Sequence, residues 1–496
     1  MNIEINWQII APELALIAGA FLIFVLDLLL RKRVRYLHLP LALLTLAVSL
    51  WLVSTLGWSP QSTVSDSFFV DRTGIFFKFV IYLATFLILL LAEGYRPLAK
   101  YPLPELSGLI LLAASAMSLM VSSKDLVLLY ISIEFSSLVC YILAGYMRDD
   151  TYSAEAGLKY FLFGATASAI MLMGFALLFA LSGGVTNLPA MGKALTENQV
   201  NPAATIIALG LVGVGLAYKV GAVPIHGWVP DTYQGAPTPI TAFLSVSSKV
   251  AGIAVLLRII IWLLPYDQTA MAPWTVILSF SAMASMIVGS TVGILQMNLK
   301  RLLAYSAIAH IGFVLIGIIA GMNYIPQSGN DFGKASVLIY AAGYLFMNLG
   351  AFAVVTMIGN ATGGYEIKHY QGLAKRKPLL ALLFTVFLLA LAGIPPTVGF
   401  IAKFYVLAAA IRGNFIALAI VGILTSVVSL FLYVRVIKAM YLDKPGEEIA
   451  PAEKPIPAPS WAAVGLCLLG TLFWGIYPNP LIHFAKFCAN NLNIPI

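Results

Sequence analysis

The stretch Leu391-Ala-Gly-Ile-Pro-Pro-Thr-Val-Gly-Phe400 lies in the middle of an apolar run from 378 to 410. As one straight helix that run would be ~50 Å long, well beyond the ~30 Å of hydrocarbon in a bilayer. A proline removes a backbone donor and its ring clashes with the preceding turn. The run is therefore expected to form two half-helices that meet at Pro395-Pro396. A second run is interrupted in the same manner, within Ala217-Tyr-Lys-Val-Gly-Ala-Val-Pro-Ile-His-Gly-Trp-Val-Pro230. The two interruptions fall five spans apart, so the broken helices run in opposite directions. Paired discontinuous helices of opposite direction mark inverted repeats, with an ion path near mid-membrane.

Composition agrees. The chain has 496 residues, of which 60% are hydrophobic and 10% charged, whereas a soluble domain carries about 25% charge. Runs long enough to cross a bilayer cover about 9–30, 38–57, 74–93, 105–122, 126–147, 156–182, 203–223, 235–263, 273–295, 301–322, 335–358, 378–410, 415–442 and 458–485. Backbone groups in lipid need internal partners, so these runs are helices. The fold class is an all-α integral membrane protein of about 14 transmembrane helices, with two inverted five-helix repeats and two discontinuous helices. Residues 1–104 hold the first three helices and 105–263 the first repeat. The second repeat spans 273–442, and 443–496 hold a loop and the last helix.

Of the 29 Lys and Arg residues, 17 fall in loops on one side and 6 on the other. The richer side includes Arg31, Lys32, Arg33, Arg35, Lys300 and Lys454. This bias places the first loop in the cytoplasm and both termini outside. A miscounted helix would scramble the alternation, so the bias supports the count as well. The net charge of +8 is thus a matter of topology, and no nucleic-acid partner is implied. The first run, beginning near Ile9, exceeds a signal-peptide core and is read as a retained helix. Three scattered cysteines have neither metal spacing nor a disulfide framework. Neither a glycine-rich dinucleotide fingerprint nor CxxC pairs occur, and no sequence feature supports redox chemistry within this chain.

Charges deep in the spans are the candidate site. A charge at bilayer depth costs about 2.5–3.5 kcal/mol on insertion scales, so a chain that keeps several uses them. Glu134 lies mid-span in Leu128-Leu-Tyr-Ile-Ser-Ile-Glu-Phe-Ser-Ser137, and Lys219 just before the first break. A carboxyl and an amine brought together in a dry place govern each other's charge, which makes a switchable proton carrier. Lys249 sits at the centre of its span among hydroxyls, in Leu244-Ser-Val-Ser-Ser-Lys-Val-Ala251, where water could be held. Lys403 follows the Pro-Pro break, and His310 lies in Ser306-Ala-Ile-Ala-His-Ile-Gly312. Histidine titrates near neutrality and suits a relay, although a lone histidine is more often structural. His226 falls on the connection after the first break. Lys159 is placed to pair with Glu155 at i, i+4, and Lys78 and Arg258 are expected to snorkel outward.

The long motif from Lys219 to Lys249 resembles the signature of the antiporter-like membrane subunits of respiratory complex I, NADH-quinone oxidoreductase. Asn298-Leu-Lys-Arg-Leu-Leu-Ala-Tyr-Ser-Ala-Ile-Ala-His310 and Ala392-Gly-Ile-Pro-Pro-Thr-Val-Gly-Phe-Ile-Ala-Lys-Phe404 fit the same family. Glu155-Ala-Gly-Leu-Lys-Tyr-Phe-Leu-Phe-Gly164, the length, and lysine rather than glutamate at 403 resemble its subunit N type. The resemblance implies a proton-translocating, non-redox subunit in the cell inner membrane, lying between K-like and M-like neighbours. NADH, FMN, iron–sulfur clusters and quinone would belong to partner subunits, with no cofactor in this chain. On the family pattern Glu134 and Lys219 form a modulating pair, Lys249 is the central relay and Lys403 faces the exit or the next subunit. Lys159 and His226 fall on positions where the family often has these types. The pattern leaves two alternatives open, a subunit of an Mrp-type cation/proton antiporter and a spacer that only connects pumping modules.

Overall fold

The computed structural model describes residues 6–30, 35–64, 66–197, 201–263, 268–322, 330–444 and 456–490, without the side chains of 268–272, 330 and 331. Arg31, Lys32, Arg33 and Lys454 lie outside the described residues. Helices dominate, in the order α1 (Trp7–Leu30), α2 (His38–Thr55), α3 (Arg72–Glu93), α4 (Leu103–Ser122), α5 (Leu126–Ala144), α6 (Thr151–Leu181), the short α7 (Leu188–Glu197), α8 (Pro202–Val220) and α9 (Trp228–Gly235). There follow α10 (Thr238–Leu263), α11 (Gln268–Ile294), α12 (Leu299–Met322), α13 (Asn330–Thr362), α14 (Pro378–Ala392), α15 (Val398–Arg412), α16 (Ile416–Tyr441), α17 (Ala458–Ile476) and α18 (Asn479–Ala489). A two-stranded antiparallel hairpin, β1 (Gln61–Thr63) with β2 (Phe68–Val70), pairs Gln61 with Val70 ahead of α3.

Among the described residues, 13 helices are long and apolar enough to cross a membrane. The expected span missing from these 13 is the broken one, 378–410. It appears as α14 and α15, each 15 residues, separated by residues 393–397. The last expected span, 458–485, is instead two helices, because Pro478 follows the end of α17 and starts α18 anew. Side-chain caps fix several starts. Asp71 accepts from Gly74 N at α3, Asp125 from Val127 N at α5 and Asp150 from Tyr152 N at α6. Asn201 caps α8, whose first residue is Pro202.

Packing divides the helices by environment. α10, α12 and α13 are almost wholly buried, whereas α1, α5, α6 and α16 turn large apolar residues outward, among them Phe21, Ile131, Phe163 and Ile423. Outward apolar faces on a chain of this hydropathy are lipid or subunit surface. Consecutive helices α4, α5, α6, α8 and α10 pack in order, and α10 returns to α4. The set α11, α12, α13, α14–α15 and α16 does likewise, and α16 returns to α11. α3 leans on α10 and α13, joining the first three helices to the buried centre.

Candidate proton path

Both helix breaks end in the same local chemistry. α8 stops at Gly221, in the left-handed region at φ 74°, with Gly221 N on Tyr218 O at 3.0 Å and Ala222 N on Ala217 O at 2.8 Å. α14 stops at Gly393, φ 88°, where Ile394 N reaches Leu389 O at 3.0 Å. Glycine takes this conformation without the strain that a Cβ brings. The space matters too. A Cβ on Gly221 would lie 3.5 Å from Lys249 Nζ, and one on Gly393 would lie 2.7 Å from Lys403 Cδ. Each break therefore has a lysine laid against it.

Glu134 and Lys219 are not an ion pair. Glu134 is half-buried on α5 and accepts a hydrogen bond from Ser168 Oγ of α6. Lys219 is buried and donates to Ser136 Oγ at 3.0 Å and Ser137 Oγ at 3.1 Å. These serines follow Glu134 on the same helix, but their mean direction is about 110° round its axis. The carboxylate and the amine sit within electrostatic reach without touching.

Lys249 is 1% exposed and its Nζ has no hydrogen-bond partner among the described residues. It lies 5.6 Å from the centre of the Tyr233 ring. The five residues before it, Leu244–Ser248, form a π-helical turn, which sequence pattern did not reveal. Such turns are rare and cluster at functional sites. Ser247 Oγ, Ser248 Oγ, Tyr233 OH, Tyr344 OH and Asn348 Oδ1 are also buried without partners. Buried polar groups are normally bonded to protein or water, so these orphans are the groups that bridging water would satisfy.

From this cluster the polar groups continue across α13. Asn348 Nδ2 donates to Ser245 Oγ at 2.7 Å. Tyr344 stacks obliquely on His310, with ring centres 5.3 Å apart, and Tyr340 OH meets His310 Nδ1 at 2.5 Å. His310 is within electrostatic reach of both Lys249 and Lys403. Lys403 Nζ lies 5.0 Å from the centre of the Phe313 ring and donates to Ala392 O at 2.8 Å and Ser426 Oγ at 3.0 Å. Lys219, Lys249, His310 and Lys403 are thus all buried, with His310 within reach of the two lysines on either side of it. Sequence reading missed Tyr340, Tyr344 and Asn348. Their signal was present, for with Ser336 they recur every fourth residue through the apolar middle of the helix, as one polar stripe.

Lys159 stands apart from this row. It is 39% exposed and pairs with Glu155 Oε1 at 2.7 Å, as the spacing implied, and also with Asp231 Oδ2 at 2.9 Å. Asp231 in turn holds Arg301 Nη1 at 2.5 Å, so α6, α9 and α12 are clasped at one membrane face. His226 lies in the break after α8, half-buried, with Nδ1 lacking a partner.

Three basic residues depart from the sequence reading. Lys78 and Arg258 do not snorkel. Lys78 is fully buried 2.6 Å from Glu13 Oε1, and Arg258 Nη2 is 2.6 Å from Asp71 Oδ1, because partners on other helices neutralise them in place. Lys300, counted among loop charges, is 2% exposed and donates to Ala236 O at 2.5 Å. The three cysteines are free and buried. Among the described residues, no group of three or more His, Cys, Asp or Glu side chains is placed to hold a metal.

Two broken helices, each with a lysine on its break, and a buried row of titratable groups between them define a polytopic membrane protein of the ion-translocating class. Residues 123–429 match the model of the family described as NADH:quinone oxidoreductase/Mrp antiporter, TM, and the chain belongs to that family. It is 38% identical to NADH-quinone oxidoreductase subunit N 2 of Rhizobium meliloti, over 98% of each chain. It is 38% identical to subunit N 1 of Solibacter usitatus, covering 97% of this chain and 96% of that one. A chain in the structure of respiratory complex I from Thermus thermophilus with bound Aureothin superposes with TM-score 0.78 at 28% identity, over 95% of this chain and 98% of that one. A chain of the Mrp complex from Dietzia shares the fold, with TM-score 0.85 at 21% identity over 98% of both.

Proposed function

We propose that this chain is the N-type antiporter-like subunit of an NADH:quinone oxidoreductase and carries protons across the cell inner membrane. The observation that carries the reading is Lys249, buried at mid-membrane without a partner, between the Gly221 break and the stripe leading to His310 and Lys403. An amine can bind and release a proton, and hydroxyls with water can pass it on. Glu134 and Lys219 act as the controlling charges at one end. When Glu134 gains or loses charge, the balance at Lys219 changes, and the proton on Lys249 moves towards His310 and Lys403. His226 and Lys159 serve the entry side.

Residues 105–263 and 273–442 are the two inverted repeats, a reading supported by the identical closed packing order of their five spans. The termini face the non-cytoplasmic side. The subunit is itself non-redox, and NADH, FMN, iron–sulfur clusters and quinone are held by partners. K-like and M-like subunits flank it in the bilayer. Subunit N relatives matched over nearly the whole chain favour this assembly over a cation/proton antiporter.

The test is proton pumping by the assembled complex in sealed vesicles. Lys249→Ala or Lys403→Met should lower the protons moved per NADH oxidised while assembly is retained. Normal pumping with normal assembly in both variants would overturn the relay.

A further inference from the structure

Helices α1 and α3 bury a second carboxylate–amine pair that the relay does not use. Glu13 and Lys78 are both fully buried, 2.6 Å apart. Each stands six residues into its helix, ~9 Å below the membrane face where α1 and α3 begin. Ser118 Oγ donates to Glu13 Oε1 at 2.5 Å and Tyr82 OH meets Ser118 Oγ at 2.9 Å. The other carboxyl oxygen, Oε2, is buried and unbonded.

This pair is the middle of a longer polar line. Towards the membrane face, Arg258 lies within electrostatic reach of Lys78 and pairs with Asp71, which sits at the start of α3. Arg258 Nε and Nη1 are buried and unbonded. Towards the centre, Arg258 shares α10 with Lys249, ~13 Å deeper along the same axis. The π-helical turn before Lys249 packs against α3 and α4. On α4, Ser115, Ser118 and Ser122 form one buried face, and Ser122 Oγ is unbonded. A buried ion pair contributes little net stability compared with apolar packing of equal volume. Orphaned donors and acceptors on both sides of the pair are the groups that bridging water would join.

We infer that Glu13 and Lys78, with Arg258 and Asp71 beyond them, form the release branch by which a proton leaves Lys249 for the membrane face where α1 begins. The Lys249 ammonium gives its proton through water to the Glu13 carboxylate, which becomes a neutral carboxylic acid while Lys78 keeps its charge. The acid then loses the proton towards Asp71 and the bulk phase, which restores the ion pair. Glu13 is thus a proton-loading residue on a helix outside the two repeats. The branch rests on the role proposed above for Lys249.

The assembled complex in sealed vesicles tests it, with Lys249→Ala measured beside each variant. Glu13→Gln preserves shape and an acceptor for Ser118 but cannot be loaded. It should reduce protons moved per NADH oxidised, though no further than Lys249→Ala does, and Glu13→Asp should restore part of the loss. Should Glu13→Gln fail to assemble, Glu13→Leu combined with Lys78→Met decides, because it fills the same space with apolar side chains. Full pumping by an assembled Gln or Leu/Met variant, with Lys249→Ala impaired, would leave the pair a helix fastener and overturn the branch. Full pumping by Lys249→Ala as well would overturn the parent reading. Infrared difference spectra during turnover give a readout that mere packing does not move, a carboxylic acid band present in the native complex and absent after Glu13→Gln.

Discussion

Lys249 separates two uses of a buried cation. A fixed charge could be supplied by arginine, which stays protonated in proteins, whereas a carrier must let its proton go. Lys249→Arg should therefore assemble and yet pump no better than Lys249→Ala, as measured by pH-sensitive dye quenching in vesicles. Pumping retained by arginine would make the side chain a static charge. The sequence already isolated Lys249 because no snorkelling reaches water from the middle of a span. It could not tell that Glu134 and Lys219 avoid each other. That depends on which face of α5 each meets, and Ser136, Ser137 and Ser168 claim them separately. Nor could it find Glu13 or Lys78 as partners, 65 positions apart on helices that no periodicity links.

At the scale of the element, the break between α14 and α15 depends on close approach. An ideal Cβ on Gly399 would fall 1.8 Å from Ala390 O, backbone that cannot rotate away. Gly399→Ala should wedge the half-helices apart and cost about 1–3 kcal/mol. It should also move Lys403 from Ala392 O, so both the melting midpoint in detergent and pumping should fall. Gly465→Ala is the control, since nothing lies within 4 Å of its Cβ and neither quantity should change. The prolines made this break legible, as chain length alone demanded an interruption. The stop between α17 and α18 was less so, because Pro478 lies near the end of a run that could cross without it.

At the scale of the molecule, the two five-helix sets are joined by polar bonds in the buried centre and at one face. The bond from Asn348 Nδ2 to Ser245 Oγ joins α13 to the π-helical turn of α10. Asn348→Leu should cost about 1–3 kcal/mol by leaving buried polar groups unmet, read as a lower midpoint in chemical or thermal denaturation. The Lys159–Asp231–Arg301 clasp also joins the sets, but its members are about a third exposed. Asp231→Asn should change stability by no more than about 1 kcal/mol. Helix count, order and the two interruptions could all be read from hydropathy, since lipid imposes length and internal bonding on each span. The stripe of Tyr340, Tyr344 and Asn348 was spelled at regular spacing but diluted among apolar neighbours. Lys300 misled because it follows the loop residue Asn298, and only tertiary packing reveals that α9 and α10 cover it.

The turn over Leu244–Ser248 holds one residue more than an α-turn would, for its bonds span five positions where four is usual. Deleting a single serine there would let α10 close into an ordinary helix with the faces above and below it still in phase. Such a shortened chain should fold and insert. What it would lose is slack, the spare peptide that sets the central amine one position further along its span.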